Sequence, residues 1–516
     1  MKAISYLQIT HLLWFVNLCI FVIIKTQKSG LLKIQLIVYF IEPDVEAKSI
    51  MLYIELERDH KRSIAKQIYS QIRTKVLSGE LKAGEKLPST RELSKELVIS
   101  RNTVLAAYDM LVAEGFAYSS PCSGIYVNLN FPDLQLSEKI SNYSIASLSD
   151  TCILQTTINF DSGIPALDLF PRNKWSRTVS KAFKEAPISA LGYDDPQGRP
   201  ELRKVLCNYL MKTRGIICHP NQIIVTAGAK QGLSLVAKCL LNAKSEVWLE
   251  DPSNNNVKQI FSYYTNQITP VEVDKEGIQP KQFPTLKKPT IIFVTPSHQF
   301  PIGGILSIQR RIELVQFAKQ TGCYLVEDDY DSEFRYDGFP ANSLFELDRE
   351  HIIYVGTFSK VMFPSLRLGY LVVPFSLVKQ IRECKRLADH HSNSIYQLAL
   401  MRFIESGELE YHIMRMKKIY NKRRDELLNL LKNYFPEKVK IYGRDAGMHI
   451  VADFEGVAFT DELVKRLLNA GVYIVPVENH SIIKGKHIAQ IILGYAQLTQ
   501  KEMDRGLTIL RRELDL

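Results

Sequence analysis

At 516 residues the chain is too long for one hydrophobic core, so two or more domains are expected. A hydrophobic fraction of 46% and a charged fraction of 23% are those of a soluble globular protein, and a formal net charge of +10 permits a polyanionic partner without requiring one. The eight cysteines (Cys19, Cys122, Cys152, Cys207, Cys218, Cys239, Cys323 and Cys384) stand singly, which argues against a disulfide framework and a zinc site; no metal is expected, and a reducing, cytoplasmic setting is.

Residues 1–50 form an apolar N-terminal extension. The run ITHLLWFVNLCIFVII (9–24) is shorter than the roughly 20 residues of a membrane helix and carries Thr10, His11 and Asn17. It lacks the basic start and small-residue cleavage site of a secretion signal. Met51 opens the first stretch with the pattern of a folded domain. An upstream extension, as from a mis-assigned start codon, is therefore expected; a membrane tether is the alternative.

Residues 51–128 carry three helical patterns. Ile64, Ile68, Ile72 and Val76 recur at four-residue steps over 63–78. After GELKAGEKLPS, Ser89-Thr90 caps a short helix, TRELSKEL, and Ser100 caps a third, RNTVLAAYDMLVAEG. In that third helix Val104, Leu105, Tyr108, Leu111 and Val112 are expected to face inward, leaving Arg101, Asn102 and Thr103 free at its first turn. FAYSSPCSGIYV (116–127) follows as two short strands around Pro121 and Gly124. Helix, short helix, turn, helix and wing make a winged helix-turn-helix, with the third helix as the reader of double-stranded DNA. Arginine and asparagine suit bidentate contacts to guanine and adenine edges, while Ser89 and Arg91 suit phosphates. A helical protein-interaction module is the competing reading, since eleven Lys and Arg against nine Asp and Glu leave a net charge of only +2 here.

Residues 129–156 lack a sustained period and read as a linker. A flexible coil of that length spans roughly 30 Å, comparable to the roughly 34 Å between half-sites one DNA turn apart.

From 157 to 516, apolar strand patterns such as QIIVTAGA (222–229), TIIFVTP (290–296), CYLVEDDYD (323–331) and HIIYVGTF (351–358) alternate with helical ones. An α/β domain with a mainly parallel sheet is expected, its ligand at the carboxyl ends of the strands. There lie Asp328 and Tyr330, two apart and so on one face; Lys360, just after Thr357 and Ser359; Arg367; and the strand-to-helix turn Gly228-Ala229-Lys230. Together these suit pyridoxal 5′-phosphate (PLP). Lys360 would form the Schiff base, Asp328 would pair with the pyridine nitrogen and Tyr330 with the ring hydroxyl. Ser359, Thr357, Arg367 and the 228–230 turn would surround the phosphate.

The stretches LGYDDPQGRPELRKVL, VTAGAKQGL, TPSHQFPIGG, EDDYDSEFRY and GTFSKVMFPSLRLGY resemble fold-type I aminotransferases. With PSTRELSKEL, SRNTVLAAYDMLVAEG and SGIYV before them, which resemble the GntR-type winged helix-turn-helix, the whole is similar to the MocR/GabR group of bacterial regulators. That resemblance implies an α/β chain with a small DNA-binding head and a large aminotransferase-like domain, working as a homodimer. A partner tyrosine completes the site in such dimers, and Tyr193 is the candidate. Two positions depart from the pattern. Asn254 stands where an aromatic residue would stack on the cofactor ring, and Ile492 stands where the branch responding to γ-aminobutyrate has a carboxylate-binding arginine. Arg335 and Arg444 are the candidate substitutes.

Two functions remain open at this point. One is a transcription regulator sensing PLP, or its adduct with a small amino compound, and so controlling vitamin B6 or amino-acid metabolism genes. The other is a working aminotransferase with an accessory DNA-binding head; productive turnover is not expected, because substrate anchoring is in doubt.

Overall fold

The computed structural model describes residues 20–25, 33–38, 52–57, 62–121, 123–128, 157–284, 287–337 and 342–515; the expected linker at 129–156 lies outside them. The chain divides into two compact units, Met1–Cys152 and Ile153–Leu516.

In the first unit, strands β1 (Ile20–Lys25) and β2 (Lys33–Val38) pair antiparallel, from Ile20 opposite Val38 to Lys25 opposite Lys33. The two apolar runs of the N-terminal extension thus contribute strands here. Among the described residues no helix is long and apolar enough to cross a membrane.

The head follows as helices α1 (Ile64–Leu77), α2 (Thr90–Glu96) and α3 (Arg101–Ala113), then the antiparallel wing β3 (Ala117–Ser120) and β4 (Gly124–Val127). Its core joins Ile68, Ile72 and Val76 of α1 to Leu93, Val104, Tyr108 and Leu111. Leu52 and Ile54 enter the same core, and the Gln67 and Gln71 side chains bind the backbone at Glu57 and Glu55. Leu105 and Val112 do not face inward as expected; they are 45% and 37% exposed. The buried stripe runs Val104, Ala107, Tyr108, Leu111, and positions one residue further along lie about 100° off it. Tyr108 also donates to the Pro88 carbonyl at 2.8 Å, pinning the reading helix to the turn before α2.

The second unit is built on an eight-stranded sheet. Its strands are β6 (Ile223–Thr226), β7 (Val247–Asp251), β8 (Ile268–Asp274), β9 (Gly277–Ile278), β10 (Ile291–Val294), β11 (Tyr324–Asp329), β12 (Ile352–Thr357) and β13 (Gly369–Val372). They follow β5 (Ile158–Asn159) in the chain and lie in the order β6-β13-β12-β11-β10-β7-β8-β9. Strands β12, β11, β10, β7 and β8 are mutually parallel, while β13 is antiparallel to both its neighbours and β9 is antiparallel to β8. Burial on both faces explains the continuous apolar runs. Val225, Ile292, Leu325, Ile352 and Val372 pack in one core layer, and Ile224, Phe293, Val326, Ile353 and Leu371 in the other.

Strands β14 (Val439–Tyr442), β15 (His449–Phe454), β17 (Val475–Pro476) and β18 (Gln490–Gly494) form a smaller antiparallel sheet, order β14-β15-β18-β17. Strand β16 (Val472–Tyr473) pairs in parallel with β5. Four of the cysteines, single in sequence, meet in space: Cys239 and Cys384 at 2.8 Å between sulfurs, Cys207 and Cys218 at 3.7 Å, all as free thiols.

Alternation along β11 sends its acidic residues to opposite faces. Asp328 opens to a cavity, whereas Asp329 is buried against Arg214 at 2.5 Å and the Tyr354 hydroxyl at 2.6 Å. The same guanidinium holds Glu333 at 2.6 Å. Removing one partner of a buried charge group strands the others. Arg214→Met is therefore expected to cost about 3–5 kcal/mol in urea unfolding, with part of it recovered when Asp329→Asn and Glu333→Gln are added.

Candidate functional site

A cavity of about 480 Å3 lies where β11 and β12 end and the turn after β6 begins. Of the residues singled out from the sequence, Asp328, Tyr330, Thr357, Ser359, Lys360, Ala229, Lys230 and Arg367 all line it; Gly228 does not. Gly228 instead ends the turn at φ 85°, as N-cap of the helix Ala229–Leu240, where its missing Cβ matters. A Cβ there would lie 3.1 Å from a guanidinium nitrogen of Arg367, which in turn donates to the Ala227 carbonyl. This corner offers helix N-terminal amides, Arg367 and Lys230, a combination suited to a phosphate. The Thr357 hydroxyl accepts from the Ser359 amide at 3.2 Å, which fixes the turn into Lys360.

Lys360 donates from Nζ to the Gly163 carbonyl at 2.6 Å. Burial pushes its ammonium pKa down, while the carboxylates of Asp161, Asp331 and Asp328 pull it back up. An amine so desolvated is a better nucleophile than a surface lysine. Asp328 is pushed up to about 7, first by burial and then by Asp329, against the pull of Lys360. Its Oδ1 is buried without a hydrogen-bond partner. A buried carboxylate oxygen left open beside an amine and an anion cradle fits a pyridinium ring bearing an aldehyde and a phosphate.

The Tyr330 hydroxyl donates to the His298 carbonyl at 3.0 Å and lies 3.1 Å from its Nδ1, which also sits 3.0 Å from Asp331. The sequence reading passed over His298, although TPSHQFP had been marked. Ligand atoms of His298, Asp331 and His449 lie within 4.8 Å of one another, close enough for a metal ion; His298 Nδ1 is paired with Asp331 and His449 donates from Nε2 to the Pro301 carbonyl at 3.0 Å, while His298 Nε2 is buried without a partner. The far wall of the cavity comes from distant segments: Asp161, Phe300, His449, Tyr473, Val475 and His480. None of these six was singled out beforehand.

The departures have local explanations. Asn254 lines the cavity and caps the helix Asn255–Ser262, its side chain accepting from the Asn256 amide. Ile492 is buried with Val451 and Val477, against Phe300 and Val475, so that position is part of an apolar cluster. Neither Arg335 nor Arg444 lines the cavity. Tyr193 is 89% exposed, resting on His390 and His391.

In the head, Arg101 and Asn102 are exposed at the first turn of α3, with Thr103 partly so. Ser100 caps that turn by accepting from the Thr103 amide, and Ser89 forms a reciprocal capping box with Glu92. Arg91 is exposed; Thr90 accepts from Arg101 Nε at 3.1 Å, which steadies the arginine. Gly124 starts β4 at φ 124°, where a Cβ would press on Lys86 at 3.0 Å.

Comparison with known proteins covers both units. Residues 64–127 match the gntR family of bacterial regulatory proteins, and residues 155–510 match aminotransferase class I and II. A probable rhizopine catabolism regulatory protein, MocR, of Rhizobium meliloti is 31% identical over 468 residues, covering 88% of this chain and 94% of its own. The chain belongs to the MocR family of transcription regulators. Another relative in this family, the pyridoxine biosynthesis transcriptional regulator PdxR of Corynebacterium glutamicum, is 33% identical over 373 residues, 72% of this chain and 80% of its own. Among solved structures, the α-aminoadipate aminotransferase LysN of Thermus thermophilus is 27% identical at a TM-score of 0.65, covering 70% of this chain and 93% of that one. This MocR-family chain is accordingly a DNA-binding transcription regulator whose large domain is an aminotransferase-like PLP domain.

The raised pKa of Asp328 has a stability consequence in protein stripped of cofactor. Its proton is held more tightly folded (about 7) than at the ordinary 3.8, so this group's contribution is full below pH 4 and is lost as pH rises through 7. Asp328→Asn is expected to unfold at higher urea than wild type at pH 8, by roughly 2–4 kcal/mol, with the difference vanishing near pH 4.

Proposed function

We propose that the chain senses PLP, or its adduct with a small amino compound, at Lys360, and that the state of this site sets how the head holds its operator. The observation that carries this reading is the convergence of Lys360 with the unpartnered Oδ1 of Asp328 in one cavity. PLP, when bound, supplies an aldehyde that an amine can hold and a pyridine ring that accommodates negative charge.

Asp328 pairs with the ring nitrogen and so gains the cation that its burial demands. Tyr330 orients the ring hydroxyl, with His298 behind it. The amides of 228–230, Thr357, Ser359 and Arg367 hold the phosphate, and Lys230, bound to Asn256 at 3.0 Å, closes its rim. Were an amine to take the aldehyde in its place, Lys360 Nζ would be released as a free amine beside the Gly163 carbonyl, able to take up a proton. That change of charge in a closed space is the signal.

In this scheme residues 51–128 are the reading head, 129–156 the linker and 157–516 the cofactor domain. The exposed ring of Tyr193 supports a homodimer in which it completes the partner's cavity. Ser89, Thr90, Arg91 and Gly124 hold phosphates, while Ser100, Arg101, Asn102 and Thr103 present the base-reading turn. A DNA reader of this kind works in the cytoplasm. The apolar setting of Ile492 weighs against a turning-over aminotransferase, because a substrate carboxylate would find no arginine there. Similarity to a rhizopine catabolism regulator and a pyridoxine biosynthesis regulator supports vitamin B6 or amino-compound genes as targets.

The test is a titration of the purified protein on DNA from upstream of its own gene, with and without PLP, beside Lys360→Ala. Binding should shift with PLP in wild type and not in the variant. Arg101→Ala or Asn102→Ala should weaken specific binding by about 1–3 kcal/mol. Operator binding that ignores PLP in every protein would refute gating by Lys360.

A further inference from the structure

The cavity carries different charges at its two ends. Among the described residues lining it, the cations are Lys230, Lys360 and Arg367. Lys230 and Arg367 belong to the anion-binding corner, and Lys360, which lies near Asp161, is the reacting amine, so no further cation among these residues is left to receive a ligand's anion. That wall holds Asp161, His449 and His480 around the Phe300 ring, whose centroid lies 5.4 Å from His449 and 5.1 Å from His480. Burial holds both imidazoles neutral, His449 down to about 3 and His480 to about 4. His449 donates from Nε2 to Pro301, which leaves its Nδ1 an acceptor, and His480 accepts at Nδ1 from the Asn255 amide, which leaves its Nε2 a donor.

Asp161 is the only carboxylate of that wall, and it is held in place. Strand β5 pairs with β16, and the Gly494 amide bonds the Phe160 carbonyl at 2.8 Å. The Asp161 amide donates to Asn159 Oδ1 at 2.8 Å, and its own Oδ1 accepts from the Gly163 amide at 2.9 Å. The turn is packed so closely that a Cβ on Gly494 would stand 2.4 Å from the Asp161 carbonyl oxygen. Its second carboxylate oxygen is left for a ligand, on the segment whose Gly163 carbonyl already contacts Lys360 Nζ.

A carboxylate-bearing amine placed here would set its anion against Asp161 and neutral imidazoles, with no guanidinium beyond Arg367 among the described residues that line the cavity. An amine ending in a second ammonium or a hydroxyl would meet acceptors. We propose that the amine this site takes carries no carboxylate and ends in a cationic or hydroxyl donor read by Asp161, so that diamines and amino alcohols fit and amino acids do not. This rests on PLP occupying the cavity as described above.

The test uses the full chain loaded with PLP and follows the cofactor's absorption band as amines are added. Three ligands of one chain length are compared: 1,4-diaminobutane, 4-amino-1-butanol and 4-aminobutyrate. The first two should bind at least tenfold tighter than the amino acid. Asp161→Asn, loaded in the same way, should lower the affinity for the diamine at least tenfold while changing that for the amino alcohol much less. Equal or tighter binding of 4-aminobutyrate by wild type would overturn the proposal, as would an unchanged diamine affinity in Asp161→Asn with the band intact. Absence of any cofactor band in wild type would overturn the PLP reading and this proposal together.

Discussion

The site depends on one carboxyl group that lines the cavity without a hydrogen-bond partner at its buried oxygen. Strand β11 lies inside an eight-stranded sheet covered on both faces, and its alternation makes Asp328 and Asp329 face different worlds. Asp329 has Arg214 and Tyr354, so its charge is answered within the protein, and Arg214 holds it below the usual carboxylate range despite burial. Asp328 has an open Oδ1 and a pKa driven up by the same burial. Glu327 and Asp329 also keep one unpartnered oxygen each, but of the three only Asp328 lines the cavity, and it is there that the proposed pairing with a protonated pyridine nitrogen would supply a cation.

The other parts follow from that placement. Strand β12 runs parallel to β11 with Val355 opposite Asp328, so the segment just beyond it brings Lys360 into the same cavity. Strand β6, at the edge beside β13, ends in the Gly228 turn that meets Arg367. Phosphate corner, ring partner and amine thus come from three strand ends, while the far wall is borrowed from β15, β16 and the segment after β5. A ligand can shift the head's behaviour only through a difference in affinity between two states of the protein, and the proposed release of Lys360 by an amine would be a concrete source of such a difference. With a net charge of only +2 between residues 51 and 128, the head has few charges to spend on phosphates, which is why the proposed reading gives base recognition to the Arg101–Asn102 turn.

Much of this was legible in the sequence, for identifiable reasons. The α1 stripe shows itself because Ile68, Ile72 and Val76 repeat along a single packed face, and the strand ends carry Asp328, Lys360 and Arg367 in long apolar runs. Leu105 and Val112 were misjudged because hydrophobicity alone cannot tell a buried stripe from its neighbouring row; Ala107, small and apolar, fills the stripe instead. Asp161 and Tyr473 were missed for a different reason. Strands β5 and β16 are two residues long, too short for any period, and their pairing joins segments that lie hundreds of positions apart. Leu52 and Ile54 escaped for a similar reason: they enter the head's core from an irregular segment held by glutamine side chains.

The central claim is that Asp328 awaits the ring nitrogen of PLP. Its most direct measurement is the rise in thermal unfolding temperature of the cofactor domain on adding PLP at neutral pH, compared between wild type and Asp328→Asn. The account predicts a clear rise in wild type and the loss of most of it in the variant, since the amide carries no charge to answer the protonated ring. An equal rise in both proteins would contradict it.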